Sequence, residues 1–368
     1  MPLASVVITN HNYGRFLGAA IDSALGQSYP GVEVIVVDDG STDESRTVLE
    51  RYGDHVRSLY QEQMGQLAAT NIGFAASHGE LVIFLDADDI LLPSAVATAS
   101  RILDDQRVTK VHWPMQWIDP EGHALDDPPA PTDLPRGDLR DALLADGPGA
   151  VLAPPTSGNA WARSFLERVL PAPSTHTYID NYLAALAPLY GRIDADPDVH
   201  TLYRLHPDSH HISIGWKSRL AAYLHDVDVM FETVAQHARA LGLPFDSREW
   251  TSRSYLHRLR DTVDEIAAVL PPKAPFALLD DAEWDIDILD GRRAVPFPER
   301  DGVWWGPPID DADAVRALDD VTTRGIQHVV VGWPAFWWLD HYKRLAHTLN
   351  ERFDVVHEND RVMIFRAR

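Results

Sequence analysis

The sequence predicts an α/β protein: a mostly parallel sheet covered by helices, then a helical connector and a smaller C-terminal α/β domain. Three observations carry this. Apolar, β-branched runs alternate with helical spacing over the first hundred residues. Polar clusters recur at the carboxyl ends of those runs. Pro271-Pro272 then marks a boundary before a second, shorter strand and helix pattern. At 368 residues the chain is too long for one ordinary domain. The divisions expected are 1–213, 214–270 and 271–368.

Ser5–Thr9 reads as a first strand, followed by a helix over Phe16–Gln27 with Phe16, Ala20, Ile21 and Leu25 on one face. Val32–Val37 is a second strand running into DDGSTDES, where Gly40 permits a turn and Ser41 or Thr42 is expected to cap the next helix. Val56–Tyr60 is a third strand, Leu67–Ala76 an Ala-rich helix, and Leu81–Leu85 a fourth strand before a helix over Pro93–Leu103. Val108–Trp117 reads as one further strand and Asp119–Arg136 as an exposed loop. Residues 216–270 carry a helical pattern. Ile326–Val331 is a strand, Leu339–Leu349 a helix, and Phe353–Phe365 a terminal hairpin.

The net charge of −23 argues against an electrostatic grip on nucleic acid or anionic lipid. With no Cys, disulfides and thiolate metal sites are excluded, so a metal must sit on oxygen or His. The N-terminus MPLASVVITNHNYG lacks a basic region before a long apolar run, and no segment reaches the ~18 uninterrupted apolar residues of a spanning helix. The expectation is a soluble, cytoplasmic protein with no transmembrane segment, for which peripheral membrane contact stays open.

LVIFLDADDILLP, Leu81–Pro93, poses the chemical problem. Five apolar residues deliver Asp86, Asp88 and Asp89 to a strand end. Two unit charges about 4 Å apart at an effective dielectric near 20 repel by roughly 4 kcal/mol, so water, a cation or a ligand must offset the crowding. Helix capping by Asp88 and Asp89 is the plainer alternative. Thr9–Asn12 and Asp38-Asp39 also end strands, and in parallel sheets ligands bind beyond those carboxyl ends. Three polar turns on one rim describe a site.

ITNHNYGRFLGAAIDSALGQSYPGVEVIVVDDGSTDES and QEQMGQLAATNIGFAASHGELVIFLDADDILLP resemble, in order and spacing, the family 2 glycosyltransferases of GT-A fold, over roughly residues 3–213. The resemblance implies inverting transfer of a sugar from a nucleotide-diphosphate donor, by family habit a UDP-sugar, to a glycan or small-molecule acceptor. It also implies Mn²⁺ or Mg²⁺, the hard cations that carboxylate oxygen holds. By the family's DXD motif, Asp86 and Ala87 would line the donor and Asp88 would bind the metal. Thr9, Asn10, Tyr13, Asp38, Asp39 and Asn71 match donor nucleotide-binding positions, with Gly65 and Gly73 in the same segment as Asn71. Thr70 stands where the family often has a basic residue, which implies another neighbour supplying positive charge.

An attacking hydroxyl needs a general base. THTYIDNYLAALAPLYGRI resembles the family's acidic pair and helix, which puts Asp180 on the base; Ile179 replaces the first acid, and an N-cap is the competing reading of Asp180. YRLHPDSHHIS resembles the closing motif, which makes His206 a metal ligand and leaves His210 and His211 as exposed loop residues. SGNAWARSFLERVLP resembles the segment facing the acceptor, with Gly158, Asn159 and Trp161 on that side, although a buried Trp is more often core. The C-terminal tryptophans, Trp304, Trp305, Trp333, Trp337 and Trp338, read as packing or as a carbohydrate platform. The rival functions are a sugar-nucleotide-binding scaffold without turnover, kept open by Ile179 and Thr70, and a nucleotidyltransferase, whose glycine-rich basic triphosphate loop is missing.

Overall fold

The computed structural model describes residues 2–127, 129–151, 153–207, 216–284 and 293–368. The chain forms two compact units. One comprises Met1–Ser213 with Asp226–Trp250, the other Ile214–His225 with Thr251–Arg368. The stretch expected as a connector is therefore divided between the units.

The first unit is built on β1 (Ala4–Asn10), α1 (Gly14–Leu25), β2 (Val32–Asp39), α2 (Ser45–Tyr52), β3 (Arg57–Gln61), α3 (Gln66–Ala76) and β4 (Leu81–Asp86). There follow β5 (Ile90–Leu91), α4 (Ala95–Leu103), β6 (Val108–His112), β7 (Met115–Ile118) and α5 (Arg140–Asp146). Then come β8 (Asn159–Ala162), α6 (Arg163–Val169), α7 (Ile179–Tyr190), β9 (Arg192–Ala195) and β10 (Thr201–Arg204). The main sheet has the order β3-β2-β1-β4-β8-β6-β9. Its strands run parallel except β8, which is antiparallel to both β4 and β6.

Strands buried on both faces explain the near-continuous apolar runs. On one face Val7, Val37, Phe84 and Trp161 pack under α3, α6 and α7; on the other Val6, Ile8, Val36 and Ile83 pack under α1, α2 and α4. Helix α3 lies very close to the sheet. A Cβ on Gly73 would come within 2.3 Å of Val7 and 3.2 Å of Val37, so only glycine fits there.

Three local expectations are corrected. Val108–Trp117 is two strands, not one: β6 stays in the main sheet and β7 joins a small sheet of order β5-β10-β7. The chain turns at Trp113-Pro114, where proline lacks a ladder donor and the buried Trp113 indole donates to Thr201 Oγ1 at 2.9 Å. Ser41 and Thr42 do not cap α2. Asp43 Oδ1 accepts the Ser45 N–H at 3.0 Å instead, while Ser41 Oγ accepts the Asn12 N–H at 2.9 Å. Leu339–Leu349 is likewise broken at Tyr342 (φ −92°, ψ 79°), whose hydroxyl donates to Pro308 O at 2.7 Å.

In the second unit, β11 (Phe276–Leu279) lies between β12 (Ala294–Pro296) and β13 (His328–Gly332), all parallel. A hairpin of β14 (Phe353–Glu358) and β15 (Val362–Ala367) completes the sheet. Trp338 is buried in its core, and Asp281 accepts the indole N–H groups of both Trp338 and Trp337, at 2.7 and 2.6 Å. Trp305 is exposed beneath the guanidinium of Arg300. Packing therefore accounts for Trp338 but not for Trp305. Among the described residues no helix is long and apolar enough to cross a membrane.

Candidate active site

Register brings the polar turns together. Thr9 lies opposite Asp86 across β1 and β4, and Asn10 opposite Asp38 across β1 and β2. Side chains alternate along a strand, so Thr9, Asp39 and Asp86 project to one face, Asn10 and Asp38 to the other.

Asp86, half-buried, accepts from Gln66 Nε2, and its backbone N–H donates to Ser157 Oγ at 3.1 Å. Burial first, then the charges of Asp88 and Asp180, push its carboxyl well above the usual range. Asp89 is raised in the same way, by burial and then by Asp88 and Asp86. Tyr203 lies close by: burial, and then Asp89, Asp86, Asp88 and Asp180, push its phenol up. Asp180 lies in the first turn of α7, and its charge is felt at both Asp86 and Tyr203.

The closing segment locks onto the cluster from β10. The Arg204 N–H donates to Asp89 Oδ1 at 3.0 Å, and its guanidinium donates to the backbone oxygens of Asp88, Asp119 and Pro120 at 2.8, 3.1 and 2.8 Å. Two residues on, the buried His206 holds Nε2 at 3.0 Å from Asp88 Oδ2. Its ring sits 5.3 Å from Tyr13 and 5.0 Å from Phe16, and the Arg15 guanidinium lies 3.4 Å from Nδ1.

The donor set of Asp88 and His206 fits a hard divalent cation. Adjacent octahedral ligands, each about 2.1 Å from a central ion, stand about 3.0 Å apart, the separation seen here. Among the described residues no group of three or more His, Cys, Asp or Glu gathers in cation-holding geometry. Such a pair matches ions that complete their shell with water and substrate phosphate.

Residues 5–112 match the family model described as glycosyl transferase family 2. An uncharacterized glycosyltransferase of Nostoc sp. is 36% identical over 217 residues, covering 57% of this chain and 66% of that protein. The chain belongs to glycosyl transferase family 2. An uncharacterized glycosyltransferase of Rickettsia prowazekii is 36% identical over 126 residues, 34% of this chain and 40% of that protein. The chain thus spans between two fifths and two thirds of these relatives' lengths. A crystal structure of S. aureus TarS 1–349 with UDP-GlcNAc superposes with a TM-score of 0.53 at 14% identity, covering 98% of this chain and 95% of that one, a likeness of fold.

In this family 2 glycosyltransferase several expected site residues have other partners. Asn71 uses both ends of its amide on Ala172, donating to its carbonyl at 3.0 Å and accepting its N–H at 2.8 Å, so it clamps a loop to α3. The Ala87 side chain is buried in the core, leaving only its backbone for a ligand. Gly158, Asn159 and Trp161, expected on the acceptor side, are all buried. A Cβ on Gly158 would meet Pro154 at 2.7 Å, the Asn159 amide donates to the carbonyls of Pro154, Pro155 and Thr156, and Trp161 stacks on Phe165 in the core. His210 and His211 lie outside the described residues.

Asp39 is also structural in large part. It accepts from Gln61 Nε2 and from the N–H groups of Met64 and Gly65, at 2.7 and 2.8 Å, and so holds the turn before α3. Removing a carboxylate that satisfies three donors frees the turn that they fix. Asp39→Ala is expected to cost roughly 3 kcal/mol, read as a lower urea midpoint; an unchanged midpoint would contradict this role. Asp38 differs. Asn10 Nδ2 donates to its Oδ1 at 2.9 Å, while Asp38 Oδ2 and Asn10 Oδ1 are buried without a hydrogen-bond partner.

Gln66, Ser157 and Lys110 escaped the sequence reading. For Lys110 there was a signal: a lysine inside the apolar strand VTKVH.

Proposed function

We propose that the glycosyltransferase moves a sugar from a nucleotide-diphosphate donor to a hydroxyl of a glycan or small-molecule acceptor, with inversion and with a divalent cation. The convergence of Asp86, Asp88, Asp89 and Asp180 at the carboxyl rim of the sheet carries this reading. Asp180 takes the acceptor proton as the acceptor oxygen bonds to the anomeric carbon, and the bond from that carbon to the diphosphate oxygen breaks on the opposite side. Asp88 and His206 would hold Mn²⁺ or Mg²⁺, which when bound neutralises charge on the departing diphosphate. Asp38, Asp39 and the first turn after β1 would hold the nucleoside. Arg15, beside His206, supplies the positive charge that Thr70 does not.

UDP is the nucleotide to test first, since TarS of the same fold was crystallised with UDP-GlcNAc. Nucleotide sugars are screened by thermal shift with Mn²⁺ and with chelator. The expected result is a rise in melting temperature with one nucleotide series that disappears on chelation, about 2.7 kcal/mol of stabilisation at a hundredfold excess over Kd. A shift that survives chelation would refute the cation's part, and no shift with any nucleotide sugar would refute the donor site.

A further inference from the structure

The tryptophans of the second unit gather at one edge of its sheet. Strands β12, β11 and β13 run parallel, so the segments leaving their carboxyl ends share a rim, the place where parallel sheets bind ligands. Those segments hold Asp280 and Asp281 after β11, Pro298 after β12, and Trp333, Trp337 and Trp338 after β13. Buried Trp284 occupies the space beyond β11 and β13: its N–H donates to Asp280 Oδ2 at 2.8 Å, and a Cβ on Gly332 would come within 2.2 Å of its ring. A ring in that position, with two carboxylates beside it, excludes a diphosphate. The rim offers exposed indoles instead, Trp337 at 43% and Trp305 at 64%.

Both rings are held. The Trp337 indole N–H donates to Asp281 Oδ2 at 2.6 Å, and Asp281 Oδ1 takes the N–H of buried Trp338 at 2.7 Å. Asp281 reaches them from a turn in which it and Ala282 take left-handed φ values of 55° and 57°, unfavourable for residues with a Cβ. Packing does not call for fixing a ring that is nearly half in water. Arg300 lies 4.4 Å over one face of Trp305, which leaves the other face to solvent. The two rings border one stretch of chain. The Trp305 backbone N–H donates to Pro298 O at 3.2 Å, while Pro308 O accepts the hydroxyl of Tyr342, whose ring centroid is 6.1 Å from that of Trp337. From Trp305 to Pro308 the chain spans at most about 10 Å, the reach of a short oligosaccharide.

We propose that this rim binds a neutral glycan chain, with Trp305 and Trp337 packing on the apolar C–H faces of its sugar rings. The carboxylate of Asp340, the imidazole of His341 and the guanidinium of Arg300, all beside the indoles, supply acceptors and donors for sugar hydroxyls. Asp281, Asp340 and a net charge of −23 oppose an anionic lipid surface, a phosphorylated ligand and a second copy of the chain. The inference goes beyond the donor rim of the first unit and does not depend on it.

The test is isothermal titration of the full chain, in chelator and without nucleotide, with maltohexaose, cellohexaose, mannohexaose and chitohexaose. At least one is expected to bind. Trp305→Ala and Trp337→Ala should each weaken that binding about tenfold, and Trp305→Phe, which keeps a ring, by no more than about threefold. Asp88→Asn should bind as wild type does. Trp305 is exposed, so its variants should melt with wild type and keep the test independent of folding. No binding of any probe, undiminished binding in both alanine variants, or loss of binding in Asp88→Asn overturns the proposal, the last by placing the oligosaccharide in the first unit. A concentration-dependent dimer that Trp305→Ala abolishes overturns it too, because the patch would then be a contact between copies. Failure of the nucleotide-sugar screen leaves these outcomes untouched, so the two readings fall separately.

Discussion

Asp180→Asn is expected to lower the rate of sugar transfer by about 10²–10⁴-fold while leaving donor affinity within about twofold. The amide keeps the shape of the side chain, so the variant separates proton acceptance from packing. Asp180 opens α7 in its first turn, and its Oδ1 accepts the Asn181 N–H at 2.8 Å. An amide oxygen preserves that contact, so the helix start should survive. The substitution also removes one of the charges that raise Asp86. Asp86 should therefore ionise at lower pH, and cation-dependent donor binding should persist further into acid. Initial rates over pH 5–9 with saturating donor, together with isothermal titration of the donor, check both parts. Full turnover in Asp180→Asn would move the base elsewhere.

Asp88→Asn should abolish the cation-dependent rise in melting temperature and reduce turnover by roughly 10²-fold or more. Asp88 pairs with His206 at 3.0 Å and adds its charge to both Asp86 and Asp89. Without a cation the three carboxylates repel, and removing one should raise the melting temperature of the chelated protein even as activity falls. The sign with pH follows from the raised carboxyls. Asp86 and Asp89 hold protons in the folded chain that they lose when unfolded, so folding is favoured at low pH, and that stability is lost as pH rises through the folded values. Chelated wild type should therefore lose stability from about pH 4 toward neutrality, and Asp88→Asn should lose less. Cation-loaded wild type should show the smallest change. If Asp88→Asn kept both its metal-dependent shift and its turnover, the cation would have to be held by other residues.

Much of this unit could be read from residue order. Alternating apolar runs and helical spacing give β1 through α4 because each strand's period and each helix's apolar face are local properties. The same holds for the rim of Thr9, Asn10, Asp38, Asp86 and Asp88, since in a parallel sheet every strand presents its carboxyl end on one side. The order of the sheet beyond β4 is not local. β8 runs antiparallel between β4 and β6, and nothing local in NAWA states which way it runs or which strands it joins.

The sequence by itself determined the sheet, its acidic rim and the family, because patterning and motif spacing are written along the chain. Tertiary structure alone decided the partners. It gave Asn71 its hold on Ala172 and buried Gly158, Asn159 and Trp161, because a side chain's hydrogen bonds depend on whichever backbone folds against it. It brought Arg204 and His206 of the closing segment onto Asp89 and Asp88, 115 and 118 residues away. It also buried Lys110 against Trp161, on a strand whose position in the sheet only the folded chain defines. Local sequence carries periodicity; convergence of charge depends on topology.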